Sequence, residues 1–329
     1  MSTRNENEKN YPHKSQFPKP IVLYDDLHSK VAYLLGGDKH LNEQMVNFMI
    51  TEGKGLVYVC IEKDMAKRFN LNSLKKEGED HYKEFTVSVD HIDSTTGISA
   101  FERYQTIASF DNKMTEPKDF QRPGHVFPLI SKPNKLLERE GIAEAALVAV
   151  KEKGLGKIAT VCEILNKQGD IASFEEVKQL ATYHNMEIFN FSSLLKIQAL
   201  ETTWLKVENE EVIDPAKGVS VLELKNDYLD ERYKVYFNSL GNMKMETIYY
   251  QPCHIGDLLN STACSCLLHF KDYYEQLENG LIRTIVFGFT PERNVSKTKQ
   301  GCVQQAVMRE IERLIKERIV SPAHSKVYV

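Results

Sequence analysis

The sequence predicts an α/β fold of the α+β kind, mixed sheets with helices packed on them, and three observations carry that expectation. Apolar strand-like runs, GLVYVCI (Gly55 to Ile61) and IATVCEIL (Ile158 to Leu165), alternate along the chain with segments whose apolar residues recur at helical spacing. The 329 residues are enough for two cores. Beyond about residue 201 the texture changes to closely spaced strand runs, which places a domain boundary near Leu200.

The elements follow in order. Residues 1–19 are polar, carry two prolines and have no periodicity, so they read as a mobile tail. A domain over 20–200 opens with the strand IVLY (Ile21 to Tyr24), and Asn42 to Glu52 reads as a helix with Met45, Phe48 and Met49 on its apolar face. FTVSV (Phe85 to Val89) reads as a strand, Glu138 to Lys153 as a helix, Ile158 to Leu165 as a strand and Phe174 to His184 as a helix. The second domain, 201–329, shows strand runs in VSVLELK, RYKVYFNSL and METIYYQ with a Gly241–Asn242 turn, then helices near 267–279 and 302–318 around the strand LIRTIVFGF.

Composition excludes several classes. Hydrophobic residues make up 42% and charged residues 27%, the balance of a folded globular chain. Lysine and arginine number 42 against 46 acidic residues, a net charge of −4, which gives no global field for nucleic acid or an anionic membrane. No apolar run reaches the roughly 18 residues that span a bilayer, and the first 19 residues have no signal-peptide core, so a cytoplasmic protein is expected. Six cysteines in such a chain are read as metal or redox chemistry rather than as a disulfide scaffold.

Two constellations could carry chemistry. RPGHVFPL brings Arg122 and His125 onto one Pro-Gly corner, a fixed cation beside a titratable imidazole, or else simply a capped loop histidine. DSTTGISAFER offers Thr95 and Thr96 beside Gly97 as a phosphate cradle or as ordinary turn chemistry. Cys253, Cys264 and Cys266 fall within fourteen residues, suited to a three-thiolate zinc site or to a cluster of buried or redox-active thiols.

FTVSV, STTGISA, RPGHVFPL, REGIAEAAL, VCEILN and HNM, in that order over roughly Ile21 to Gln198, resemble 3,4-dihydroxy-2-butanone 4-phosphate (DHBP) synthase. The resemblance implies conversion of ribulose 5-phosphate to formate and a four-carbon dihydroxybutanone phosphate, with magnesium, in a homodimer. It assigns His125 and Glu163 as catalytic groups, with Arg122, Arg139, Thr95 and Thr96 as the groups that would hold the phosphorylated metabolite. The family's acidic loop is reduced here to Asp25 and Asp26. Its magnesium ligands fall on Ser29 and Ile142 and its substrate-binding aspartate on Tyr33, so magnesium binding in the family manner is not expected.

The cysteine segment, with Gly256 and Asp257, is similar to the zinc motif of GTP cyclohydrolase II over about residues 202–290, the domain that follows DHBP synthase in bifunctional riboflavin biosynthesis proteins. Zinc at the three cysteines is the implied cofactor. The arginine expected before the second cysteine is Ala263, those before the first are Ile248 and Tyr250, and the later catalytic segment is not recognisable, so GTP ring opening is not expected. The sequence therefore reads as a shortened, divergent relative. It would be either an enzyme on a phosphorylated sugar with altered or reduced activity, or a non-catalytic paralogue that binds a substrate-like ligand or an active partner.

Overall fold

The structure is a computed structural model that describes residues 18–74, 83–240, 246–250, 266–288 and 299–320. Contacts divide the chain into two compact units, Met1–Leu195 and Lys196–Val329, so the division falls inside a helix a few residues before Leu200.

In the first unit the chain builds β1 (Ile21–Tyr24), β2 (Ala32–Gly37), α1 (Glu43–Phe48), β3 (Lys54–Glu62), α2 (Lys63–Arg68), β4 (Val89–His91), α3 (Ala100–Ser109), β5 (Phe120–Ser131), α4 (Ile142–Glu152), β6 (Ala159–Ile164), α5 (Phe174–His184) and β7 (Ile188–Asn190). The Asn42 side chain caps α1 by accepting from the Met45 N–H at 2.8 Å, and α1 widens into a π-helical turn, Met49–Gly53, where one longer helix was expected. Ser173 and Glu176 form a reciprocal capping box that fixes the start of α5.

The seven strands make one mixed sheet in the order β4-β5-β3-β6-β2-β1-β7, with β3 parallel to β5 and β1 parallel to β7. Strand alternation sorts its faces. Val57, Val59 and Ile61 of β3 and Cys162 and Ile164 of β6 join Met45, Phe69 and Ile107 in the main core. Tyr58 and Cys60 point the other way, toward α4, whose residues Ile142 to Val150 are all buried. The strand expected over Phe85 to Val89 is reduced to isolated bridges, Ser73 to Thr86 and Phe85 to Leu129, and the regular strand begins only at Val89. Its neighbour there is Pro128, which accepts from the Thr86 N–H but has no N–H to return, so the ladder cannot continue. The helix expected from Glu138 begins at Ile142 because the residues before it turn to bury Arg139.

The second unit contains most of α6 (Phe191–Glu201), then β8 (Leu205–Asp214), β9 (Val219–Asn226), β10 (Glu231–Asn238), β11 (Thr247–Tyr250), α7 (Cys266–Glu278), β12 (Thr284–Phe287) and α8 (Lys299–Val320). Its five strands are ordered β11-β12-β10-β9-β8, antiparallel except for the β11 and β12 pair. Val219, Leu277, Ile282 and Ile285 form a core with Tyr236, Tyr250 and Phe270 around it. The Gly241–Asn242 turn lies outside the described residues. Among the described residues no helix is long and apolar enough to cross a membrane.

Leu34 is fully buried at the centre of the main core. Leu34→Ala is expected to lower unfolding free energy by about 2–5 kcal/mol, read as a shift of the urea midpoint.

Candidate active site

Glu163 on β6 lies directly opposite Tyr33 on β2, and both face the side of the sheet that carries α4. Lys83 reaches into this place from outside any regular element. Its ammonium is 2.5 Å from Glu163 Oε1 and 3.5 Å from the Tyr58 hydroxyl, and it lies 5.5 Å and 4.9 Å from the ring centres of Tyr33 and Tyr58. The Lys83 and Glu163 side chains are only 29% and 17% exposed, so the pair interacts through a medium less polar than water. Burial, followed by the Glu163 charge, pushes the Tyr33 and Tyr58 phenols far above their ordinary range, so both stay protonated.

The acidic loop lies close by, since Asp25 also raises Tyr33. The Asp25 carboxylate accepts from the backbone N–H groups of Leu27, His28 and Ser29 at 3.1, 2.9 and 2.9 Å and from the Ser29 hydroxyl at 2.6 Å. Burial pushes this carboxyl up, but the Ser29 hydroxyl and the backbone donors outweigh it and hold Asp25 below the usual carboxylate range. Asp26 accepts from the Ser192 N–H and hydroxyl. Asp25 is thus spent on shaping the turn, and Asp26 on tying it to the start of α6.

These residues do not fit a magnesium ion. A hard cation needs several oxygen ligands, yet Ile142 is buried and apolar and the Ser29 hydroxyl is donated to Asp25. Among the described residues no group of three or more His, Cys, Asp or Glu side chains could hold a metal ion. Cys253 and Cys264 lie outside the described residues, and Cys266 opens α7 with its side chain likewise outside them.

Arg139, expected to hold an anion, is instead buried. Its guanidinium donates to Glu144 Oε1 at 3.0 and 2.7 Å, to Glu84 at 2.9 Å and to the Ile130 carbonyl at 2.5 Å. Four of its five N–H groups are used, so this arginine braces the start of α4. Burial raises the Glu144 carboxyl despite that pairing.

At the other constellation the Arg122–Pro123 peptide bond is cis and the turn crosses β4 closely. A side chain on Gly124 would come within 2.1 Å of the Val89 carbonyl carbon. The His125 N–H donates to Asp90 Oδ1 at 2.8 Å, and His125 Nδ1 is 2.8 Å from Asp90 Oδ2. Gly97, at φ +74°, lies against the pair, where a Cβ would be 2.0 Å from Asp90 Oδ2 and 2.6 Å from His125 Nδ1.

The groups expected to grip phosphate around it are exposed but hydrogen-bonded within the protein. Arg122 donates to the carbonyls of Pro117, Phe120 and Phe69 at 3.1, 3.0 and 2.7 Å. The Thr95 and Thr96 hydroxyls donate to Glu102 at 2.8 and 3.2 Å. With Ser99 they hold the Glu102 carboxyl down at about 2, the Thr95 hydroxyl foremost.

Register relates the two catalytic candidates. Tyr58 of β3 pairs with Phe127 on one side and Val161 on the other, so His125 and Glu163 lie at the same end of the sheet with β3 between them. Lys83 is the group that the sequence reading missed. Its partners are 25 and 80 residues away in the chain, and no motif marks it.

Because the folded protein keeps Tyr33 and Tyr58 protonated while the unfolded chain ionises its phenols near pH ~10, stability should fall as pH rises through about 10. Tyrosinate absorbance should lag behind that of a denatured sample until the fold is lost.

The family model of 3,4-dihydroxy-2-butanone 4-phosphate synthase matches residues 14–197. The riboflavin biosynthesis protein RibBA of Staphylococcus epidermidis is 32% identical over 252 residues, 75% of this chain and 63% of that protein. RibBA of Staphylococcus aureus is 29% identical over 251 residues, 75% and 64% of the two chains. The chain therefore spans less than two thirds of the length of these curated relatives. Among solved structures, RibBX, a two domain DHBP synthase from A. baumannii, shares the fold with a TM-score of 0.62 at 21% identity, over 90% of this chain and 87% of that one. DHBP synthase of Candida albicans matches with a TM-score of 0.50 at 25% identity, over 54% of this chain and 90% of that one. With residues 14–197 inside the family match, the chain belongs to the 3,4-dihydroxy-2-butanone 4-phosphate synthase family.

Proposed function

We propose that this protein performs acid/base chemistry of the DHBP synthase class on a small phosphorylated ketose, with ribulose 5-phosphate the substrate to test first and with altered or reduced activity. Family membership supports the class of reaction. The observation that carries the reading is the His125–Asp90 pair. Asp90 accepts from both the backbone and the ring of His125, while 42% of the imidazole side chain stays exposed. A carboxylate on Nδ1 selects the tautomer whose Nε2 is a free base pointing away from the pair, the form that general-base catalysis needs. Glu163 is the second proton-transfer group. A homodimer is part of the same reading, supported by Ile98 and Phe101, 56% and 53% exposed on the segment beside the pair.

The second reading, a non-catalytic paralogue, is favoured by the Lys83 ion pair on Glu163, which in a binding protein would simply neutralise an inherited carboxylate. Formate release from ribulose 5-phosphate, measured with and without added magnesium, separates the two. Under the enzyme reading, His125→Ala should lower that rate by about 100-fold or more with the melting temperature little changed. Undiminished turnover in the variant would remove His125 from the chemistry.

Zinc at Cys253, Cys264 and Cys266 belongs to this proposal and rests on their spacing. Cys264→Ser should reduce bound zinc and melting temperature together. Equal zinc in variant and parent would count against the site.

A further inference from the structure

The DHBP synthase resemblance implies a divalent cation to steady the anion formed when a proton is removed beside a carbonyl, and the residues at the two ligand positions, Ser29 and Ile142, do not fit one. Resting on the enzyme reading above, we infer that the Lys83 ammonium takes that electrostatic part, so that Glu163 and Lys83 together enolise an α-hydroxycarbonyl phosphate without a divalent metal.

Three observations carry this. Lys83 is held in place by Glu163 at 2.5 Å, by the Tyr58 hydroxyl at 3.5 Å and by the faces of Tyr33 and Tyr58, so its charge is fixed in position rather than waving in solvent. Its carboxylate partner, Glu163, is one of the two groups that the resemblance to DHBP synthase implies as catalytic. The phenols on either side remain protonated and add dipoles without adding negative charge.

The step balances within these groups. The C–H bond beside the carbonyl breaks and its proton goes to the Glu163 carboxylate. The bonding pair forms a carbon–carbon double bond, and the carbonyl π pair moves onto oxygen. Before the step the ammonium faces the negative charge of Glu163, and after it the negative charge of the enolate oxygen. The charge of the site is unchanged, so the low-polarity surroundings that penalise an unpaired ion never confront one. Return of a proton to the same carbon, after the Glu163 carboxyl has exchanged its proton with solvent, completes exchange. Return to the former carbonyl carbon, with the hydroxyl proton of the first carbon passing to the enolate oxygen as the new carbonyl forms there, completes isomerisation, with no oxidant or reductant required.

The test is proton exchange of ribulose 5-phosphate in D2O with excess EDTA, followed by proton NMR on the full chain. The expected result is incorporation of deuterium beside the carbonyl in EDTA. Lys83→Met should reduce it about 100-fold or more, Glu163→Gln should abolish it, and Lys83→Arg should restore part of it. Circular dichroism and melting temperature identify any variant that fails to fold. The parent protein in EDTA tests metal independence without variants, and exchange in EDTA that survives Lys83→Met would remove Lys83 from the step. Exchange that appears only with magnesium and survives Lys83→Met would overturn this inference while leaving the enzyme reading intact. No exchange and no formate, with or without magnesium, would overturn both.

Discussion

The two-residue period of β3 and β6, at the centre of the seven-stranded sheet, is the constraint on which the first unit depends. Val57, Val59 and Ile61 can enter the core only if Tyr58 and Cys60 face α4, and Cys162 and Ile164 impose the same on Glu163. A slip of one residue would exchange apolar side chains for the Glu163 carboxylate and the Tyr58 phenol in the core, so register and site are specified by the same residues. Once Glu163 is committed to a half-enclosed place, it needs a partner charge, and Lys83 supplies it. The same logic appears at Arg139, where Glu84 and Glu144 share one guanidinium at the start of α4.

Much of this was legible because it depends on local pattern. The α5 helix, Phe174–His184, follows from its apolar spacing and its Ser-x-x-Glu start, and β3 and β6 follow from continuous apolar runs. His125 and Glu163 were legible as motif residues, and register brings both to one end of the sheet. The rest depended on where donors point. Arg122, Arg139, Thr95 and Thr96 have the chemistry of anion ligands, yet nearby carbonyls and carboxylates satisfy them first. Nothing local distinguishes an arginine that grips a phosphate from one that braces a turn, because both need the same five N–H groups. Lys83 was invisible for the opposite reason, since its role arises only when a segment 80 residues from Glu163 folds across the sheet.

The acidic loop is shaped by its own side chains. Asp25 gathers three backbone N–H groups and the Ser29 hydroxyl, and these bonds close the turn. The His28–Glu140 pair, 2.7 Å apart, ties that turn to the residues just before α4. Side-chain oxygens that could face a cation are employed in holding the backbone. Positive charge then enters from a different part of the chain, on a flexible side chain clasped by two aromatic rings.

The close approach of Gly97 and Gly124 to the His125–Asp90 pair bears on how this protein can change over evolutionary time. A methyl group on Gly124 would meet the Val89 and Asp90 backbone, and one on Gly97 the Asp90 and His125 side chains, so the pair is seated where the chain leaves room for no more than a hydrogen. Under the proposed acid/base reading, exchanging Asp90 or His125 for a residue of no greater bulk would remove the proton-transfer pair with less steric disturbance than enlarging a glycine. Enlarging either glycine disturbs the scaffold itself. Lineages that abandon the chemistry should therefore lose the imidazole or the carboxylate well before they lose the two glycines, and the order of those losses would serve as a molecular record of when catalysis was given up.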